Sequence, residues 1–227
     1  MSKPFRPILS HPNSPGPSIP PIQDQQRRVL DAGAGPPNSS RVHAAFAGWK
    51  VVRQDINPEV KPDILGSITD LRGTVADASF DAVWSSHNIE HLYTHEVSMA
   101  LSEIKRILKP DGFALITCPD LEQIGKLIAG GDIERTIYNS PAGPISVVDM
   151  LFGHTASISK GNTYMAHNTG FTLSRLGGAL QKAGFAESWV AAGPSIDLWA
   201  AALMPKTDTA QLRALLEKTD QKYLAIA

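Results

Sequence analysis

Several things are scarce in this sequence. One cysteine, Cys118, stands in 227 residues. That excludes an internal disulfide and fits a reducing, cytoplasmic setting. Cys118 closes an apolar run, so it reads as a buried, inert thiol. No apolar stretch approaches the roughly 20 residues that a membrane-spanning helix needs. No positively charged region followed by an apolar one opens the chain, so no signal peptide is expected. Basic blocks are missing as well: Arg27-Arg28 and Lys105-Arg106 are isolated pairs, and the formal net charge is -1. A nucleic-acid partner is therefore not expected. There is no internal repeat.

Proline is plentiful at one end only. The first 26 residues hold seven prolines, at positions 4, 7, 12, 15, 17, 20 and 21. Such a segment builds neither a helix nor a central strand. Residues 1–27 read as an extended arm. Either it is disordered, or it lies over its own domain or a neighbouring subunit through Phe5, Ile8 and Ile19. The neighbouring-subunit form implies a homodimer. Residues 28–227 are expected to form one globular domain, and a chain that is 42% hydrophobic can fill its core.

That domain is organised around residues 29–55, VLDAGAGPPNSSRVHAAFAGWKVVRQD. Val29-Leu30 running into Gly33 and Gly35 reads as a buried strand followed by a tight turn. Asn38, Ser39 and Ser40 are placed to cap a helix through Val42, Ala45 and Phe46. A second apolar run, Val51-Val52, ends at Asp55. A carboxylate roughly 20 residues beyond a glycine turn suits nucleotide binding. Glycine lets backbone approach a ligand, and Asp55 can accept hydrogen bonds from both ribose hydroxyls.

Further along, residues 63–66 read as a short third strand and 79–86 as a fourth. Asp70, past the third strand, is a candidate for an adenine amino group or a turn aspartate. A helix is expected over 97–108, stopped by Lys109-Pro110-Asp111-Gly112. Residues 113–117 make a fifth strand, and 121–129 a short helix. Residues 132–170 show no clear period, and so long an irregular stretch reads as a lid or binding insertion. Thr172 is placed to cap a helix ending at Gly184. Two strands then flank Gly193-Pro194, a hairpin signal, and a helix over 207–223 closes the chain. Strands alternating with helices imply an α/β fold with a parallel, doubly wound sheet.

Several of these stretches resemble class I S-adenosylmethionine-dependent methyltransferases, over about residues 28–204. They are VLDAGAG (29–35), VVRQD (51–55), SFDAVWSSHNIEHL (79–92), EIKRILKPDGFALIT (103–117) and AGF (183–185). The resemblance implies a Rossmann-like, mostly parallel seven-stranded sheet with an antiparallel last strand. It implies S-adenosylmethionine as cofactor. Asp31, Gly33 and Gly35 would shape the turn under its methionine part. Asp55 would bind the ribose, Ile56 and Ile68 the adenine, and Ser86 would lie near the methionine end. Two positions depart from the pattern. Pro37 stands where a third glycine is common, and Ser67 where an aspartate is usual, with Asp70 as its substitute.

The implied activity is methyl transfer to an oxygen or nitrogen of a small-molecule or glycan-type acceptor. The glycine turn and Asp55 suit a nicotinamide dinucleotide too, so an NAD(P)-dependent oxidoreductase is the alternative. The R-x-L-K-P-x-G stretch, the closing hairpin and the lack of a Tyr-x-x-x-Lys pair favour methyl transfer. A catalytically silent cofactor-binding scaffold is the third reading. For acceptor contact the candidates are His87, directly after the fourth strand, and His154, Tyr164 and His167 in the insertion. A histidine there can take a proton near neutral pH. His87, His91 and His95 share a four-residue spacing that suits a metal only on a continuous helix, and they straddle an expected loop. No metal is expected.

Overall fold

The computed structural model describes residues 26–37, 42–140 and 143–226. Most of the proline-rich arm, with Phe5, Ile8 and Ile19, and the expected caps Asn38, Ser39 and Ser40 lie outside the described residues. The main sheet is built from β1 (Arg28–Ala32), β2 (Lys50–Asp55), β3 (Ile64–Leu65), β4 (Phe80–Ser86) and β5 (Leu108–Pro119), completed by β8 (Glu187–Ala192) and β9 (Asp197–Leu203). Their order is β3-β2-β1-β4-β5-β9-β8. The pairs from β3 to β5 are parallel, and only β9 runs against its neighbours. This is the α/β architecture expected, with its reversed last strand. Central strands are apolar on both faces, as parallel strands covered on two sides must be: Val29, Leu30, Ala82, Val83, Ala114, Leu115 and Ile116 are wholly buried.

One face packs against α1 (Val97–Ile107) and α5 (Leu173–Lys182). Ala100, Leu101, Ile104 and Ile107 recur at helical spacing and meet Leu176 and Leu180 in a single core. Thr172 caps α5, accepting from the Arg175 N–H at 3.3 Å. The other face differs from expectation. The helix foreseen through Val42, Ala45 and Phe46 is one 3-10 turn, Ala44–Phe46. Only ten residues separate Pro37 from the Gly48 bend, at φ +81°. The room is filled instead by Trp84, Phe113 and Trp199 and by α6 (Thr209–Leu216), whose Leu212 and Leu216 share that core.

α1 ends at Ile107, just before the expected stop at Lys109-Pro110-Asp111-Gly112. Residues 109–112 do not interrupt the chain; they belong to β5. Lys109 Nζ bonds Asp81 Oδ1 at 2.6 Å, while Asp81 Oδ2 accepts the Arg28 N–H at 2.8 Å. A Cβ on Gly112 would stand 2.8 Å from the Asp81 carbonyl oxygen. Lysine, aspartate and glycine therefore lock the starts of β1, β4 and β5 together.

The insertion is not irregular. It holds a hairpin of β6 (Thr136–Ser140) and β7 (Gly143–Ser146), then α3 (Val147–Phe152) and α4 (Thr155–Ile158). Ile145, Val147 and Met150 pack with Ile124 of α2 (Leu121–Ala129) in a small core of their own. Elements of four to six residues are too short to show a period in the sequence.

Candidate functional site

The carboxyl ends of β1, β2 and β4 meet where the strand order reverses, the usual place for a ligand in such sheets. Gly33 and Gly35 turn the chain there at φ +69° and +62°, a backbone that side chains with a Cβ rarely adopt. A Cβ on Gly33 would also lie 2.6 Å from Asn88 Oδ1. Asp55 faces this turn. Its Oδ2 accepts the Gly35 N–H at 2.8 Å and its Oδ1 the Asn57 N–H at 2.8 Å. Gln54 braces the turn from below, accepting the Gly33 N–H at 3.4 Å and donating to the Gly66 carbonyl at 2.6 Å. Asp31 is buried in β1, in register with Arg53 and Trp84. The structure thus brings Asp31, Gly33, Gly35 and Asp55 together.

The remaining adenosine-side candidates divide. Ile56, directly after Asp55, leaves 48% of its surface open, an apolar platform beside the crevice. Ile68 is buried in the core with Leu71 and Val75, so it offers a base little surface. Asp70 bonds the N–H of Arg72 at 3.2 Å and lies 3.8 Å from its guanidinium, as a turn aspartate does. Ser86 ends β4, in register with Thr117 of β5.

Beyond Ser86 the chain bends through His87, a non-glycine residue at φ +46°. The bend is held by the His87 N–H on the Thr117 carbonyl at 2.9 Å. His87 Nδ1 meets Glu90 Oε1 at 3.1 Å. The surrounding protein disfavours charge on the His87 ring most strongly, but the Glu90 hydrogen bond, the Glu90 charge and the Asp197 charge outweigh it. The His87 pKa is raised as a result. Burial likewise works against the Glu90 carboxylate, and His87, His91 and His167 reverse the balance and lower its pKa.

His87, His91 and His95 do not share a helix face. His91 lies in a 3-10 turn, Ile89–His91, and His95 stacks on Tyr93 at 6.0 Å. His91 instead meets His167 edge-on, with ring centroids 4.9 Å apart. Of the insertion candidates, only His167 is thereby joined to this cluster. His154 bonds Ser157 Oγ at 2.7 Å, and Tyr164 is 49% exposed in its own 3-10 turn.

Three contributors escaped the sequence reading. Asn88 packs on Gly33. Asp197 starts β9, accepting Trp199 Nε1–H at 2.7 Å and the Ser195 N–H at 3.1 Å. Tyr138 of β6 has its pKa raised by burial and then by the charges of Glu90, Asp197 and Asp149. Nothing local in the sequence marks Asp197 or Asn88 as special. Ser85 Oγ, Asn88 Nδ2, Glu90 Oε2 and Thr117 Oγ1 are buried without a hydrogen-bond partner among the described residues. Orphaned polar atoms are costly, so their gathering at the ends of β4 and β5 points to a ligand. Cys118 nearby is inert: burial first, then the charges of Glu90, Asp120 and Asp197, push its thiol pKa well up.

Residues 30–116 match the family model described as a methyltransferase domain. That stretch holds both glycines, Asp55, His87 and Glu90. Three crystal structures, each described as an S-adenosylmethionine-dependent methyltransferase, share the fold. One, from Methanosarcina mazei, is 16% identical, with 80% of this chain and 94% of that chain covered and a TM-score of 0.51. A second, from Archaeoglobus fulgidus, is 15% identical over 79% and 86%, with a TM-score of 0.50. The third, from Thermotoga maritima, is 17% identical over 80% and 84%, also at 0.50. Such low identities speak for the fold alone. No curated protein matches the sequence.

Proposed function

We propose that this chain, whose residues 30–116 match a methyltransferase domain, is a class I S-adenosylmethionine-dependent methyltransferase and that its acceptor is a small or glycan-type molecule. The acceptor offers a hydroxyl or amine to His87, beneath the insertion. The residues of the crevice fit the cofactor. Each Asp55 oxygen takes one N–H here and keeps a lone pair for a ribose hydroxyl. Asn88 packs on Gly33, and its orphaned Nδ2 is a donor for the methionine carboxylate. Ile56 is open for the adenine.

When bound, the sulfonium supplies an electrophilic methyl group. The chain must align the acceptor, exclude water and take up any proton that is released. His87 sits one residue past β4, and Glu90 holds its Nδ1. Its Nε2 is left to receive a proton from a hydroxyl or amine, with Glu90 orienting the ring. His154 and Tyr164 contact the outer part of the acceptor, and His167 its inner part. This His87–Glu90 pair is the observation that carries the acceptor side of the reading.

Ile68 and Asp70 stay in the proposed cofactor set only as neighbours of the adenine. A cytoplasmic location and a dimer through residues 1–27 belong to the same proposal. No helix among the described residues is long and apolar enough to cross a membrane. The test is a screen of hydroxyl- and amine-bearing small molecules and saccharides with a labelled methyl donor. Label on such an acceptor, lost in His87→Ala, is the expected result. Label found only on protein or nucleic acid would overturn it.

A further inference from the structure

We propose that Glu90, His91 and His167 bind one divalent transition-metal ion. A carboxylate oxygen of Glu90 and one ring nitrogen of each histidine all lie within 4.8 Å of one another. With zinc–ligand bonds near 2.0–2.1 Å, ligand atoms in a tetrahedral site stand about 3.3 Å apart, so side-chain shifts of about 1 Å close the set.

The two imidazoles are already set as ligands. His91 Nδ1 faces the Ala166 carbonyl at 3.1 Å, and His167 Nδ1 faces the Met150 carbonyl at 3.0 Å. A carbonyl oxygen only accepts, so each Nδ1 carries the proton and each Nε2 the lone pair. Metal-ligating histidines are oriented by this same second bond. The two rings meet edge to face with centroids 4.9 Å apart, and a nitrogen of each lies within 4.8 Å of the other and of a Glu90 oxygen.

Glu90 is the third party and the independent sign. It is 1% exposed. His87 holds Oε1 at 3.1 Å, while Oε2 is buried with no hydrogen-bond partner among the described residues. A buried carboxylate oxygen without a partner is costly, and a bound cation would satisfy it.

The ligands come from two segments that are already fastened together. The Asn168 and Thr169 N–H groups donate to the Glu90 carbonyl at 2.9 and 3.1 Å. Asn168 Nδ2 donates to the His91 carbonyl at 2.7 Å. The donor set therefore does not wait on the ion to be assembled. Two imidazoles and one carboxylate suit zinc, iron(II) or cobalt better than magnesium or calcium. Three protein ligands leave at least one position open, as catalytic rather than structural sites do. The open position would take an acceptor oxygen or nitrogen beside His87. That use rests on the methyl-transfer reading, whereas ion binding does not.

The test uses the full chain stripped by a chelator and titrated with Co2+ and with Zn2+, without methyl donor or acceptor. One equivalent is expected to bind. Co2+ should give a visible absorption band of low coordination number, and Zn2+ should raise the melting temperature. His91→Ala, His167→Ala and Glu90→Gln should each lose the band, and His95→Ala should keep it. Melting measured without metal shows which variants are folded. Failure of the wild-type chain to bind one equivalent would overturn the site, and so would an unchanged band in folded His91→Ala and His167→Ala. Either result leaves methyl transfer standing, because no methyl donor is in the tube.

Discussion

The two halves of the site are built on different principles. At the ends of β1 and β2, backbone does the shaping. The glycine turn, Gln54 and Asp55 bond one another across about 20 residues of chain. Past β4, side chains do the shaping. His87, Glu90, His91, His167 and Asp197 come from three separate segments, and several polar atoms have no partner among the described residues. A locally built half suits one cofactor held in one way. The other half, joined by the insertion's His167, suits a reaction centre and leaves room to change the acceptor.

Substitutions on either side should separate the halves. The largest effect is expected at His87. His87→Ala should lower kcat by about 10²–10⁴-fold, the usual worth of a positioned acid or base. Affinity for S-adenosylhomocysteine should stay unchanged, since Nδ1 engages Glu90 and not the glycine turn. Calorimetry and steady-state rates on the same sample measure both. A loss of product affinity equal to the loss of rate would merge the two halves.

Asp55→Ala should do the reverse. It removes acceptors from two backbone N–H groups and from the ribose, so cofactor affinity should fall by about 1–3 kcal/mol. The rate at saturating cofactor should change little. Gly35 also loses a tether, so the melting temperature is measured beside the affinity. An unchanged dissociation constant would take Asp55 out of the cofactor site.

The same contrast explains what could be read from the sequence. The sheet, its closing hairpin and the Gly33–Asp55 half were legible because each rests on residues close in the chain. Parallel strands announce themselves as apolar runs, and α1 and α5 as helical spacing. That the described residues between β1 and β2 form only a 3-10 turn was not legible, since Trp84, Phe113, Trp199 and α6 occupy that face from far away in sequence. Nor was the Glu90–His91–His167 group, because His91 and His167 lie 76 residues apart and are joined by hydrogen bonds to backbone carbonyls. The four-residue spacing of His87, His91 and His95 does not bring them together, because, as the expected loop implied, no helix runs through them. Ile68 was drawn into the core by Leu71 and Val75, contacts that no local pattern shows.

The smallest expected effect concerns the insertion itself. Ser146 and Asp149 cap α3 reciprocally: Asp149 Oδ2 accepts the Ser146 N–H at 2.9 Å, and the Asp149 N–H donates to Ser146 Oγ at 3.1 Å. Asp149 Oδ1 accepts the Thr155 N–H at 2.9 Å, tying α3 to α4. Burial works against the Asp149 carboxylate, but these N–H groups and the Ser146 hydroxyl outweigh it and hold its pKa down at about 2, from 3.8. A lowered carboxylate pKa stabilises the folded form above the unfolded value and loses that effect as pH falls through the folded one. Asp149→Ala should therefore cost the insertion about 1 kcal/mol near neutral pH. The difference from wild type should shrink between about pH 4 and pH 2. Hydrogen exchange of residues 147–158 at both ends of that range reads it directly. Equal exchange in the two proteins at neutral pH would show that the hairpin and α2 hold the insertion without the cap, leaving the half that faces the acceptor as rigid as the half that faces the cofactor.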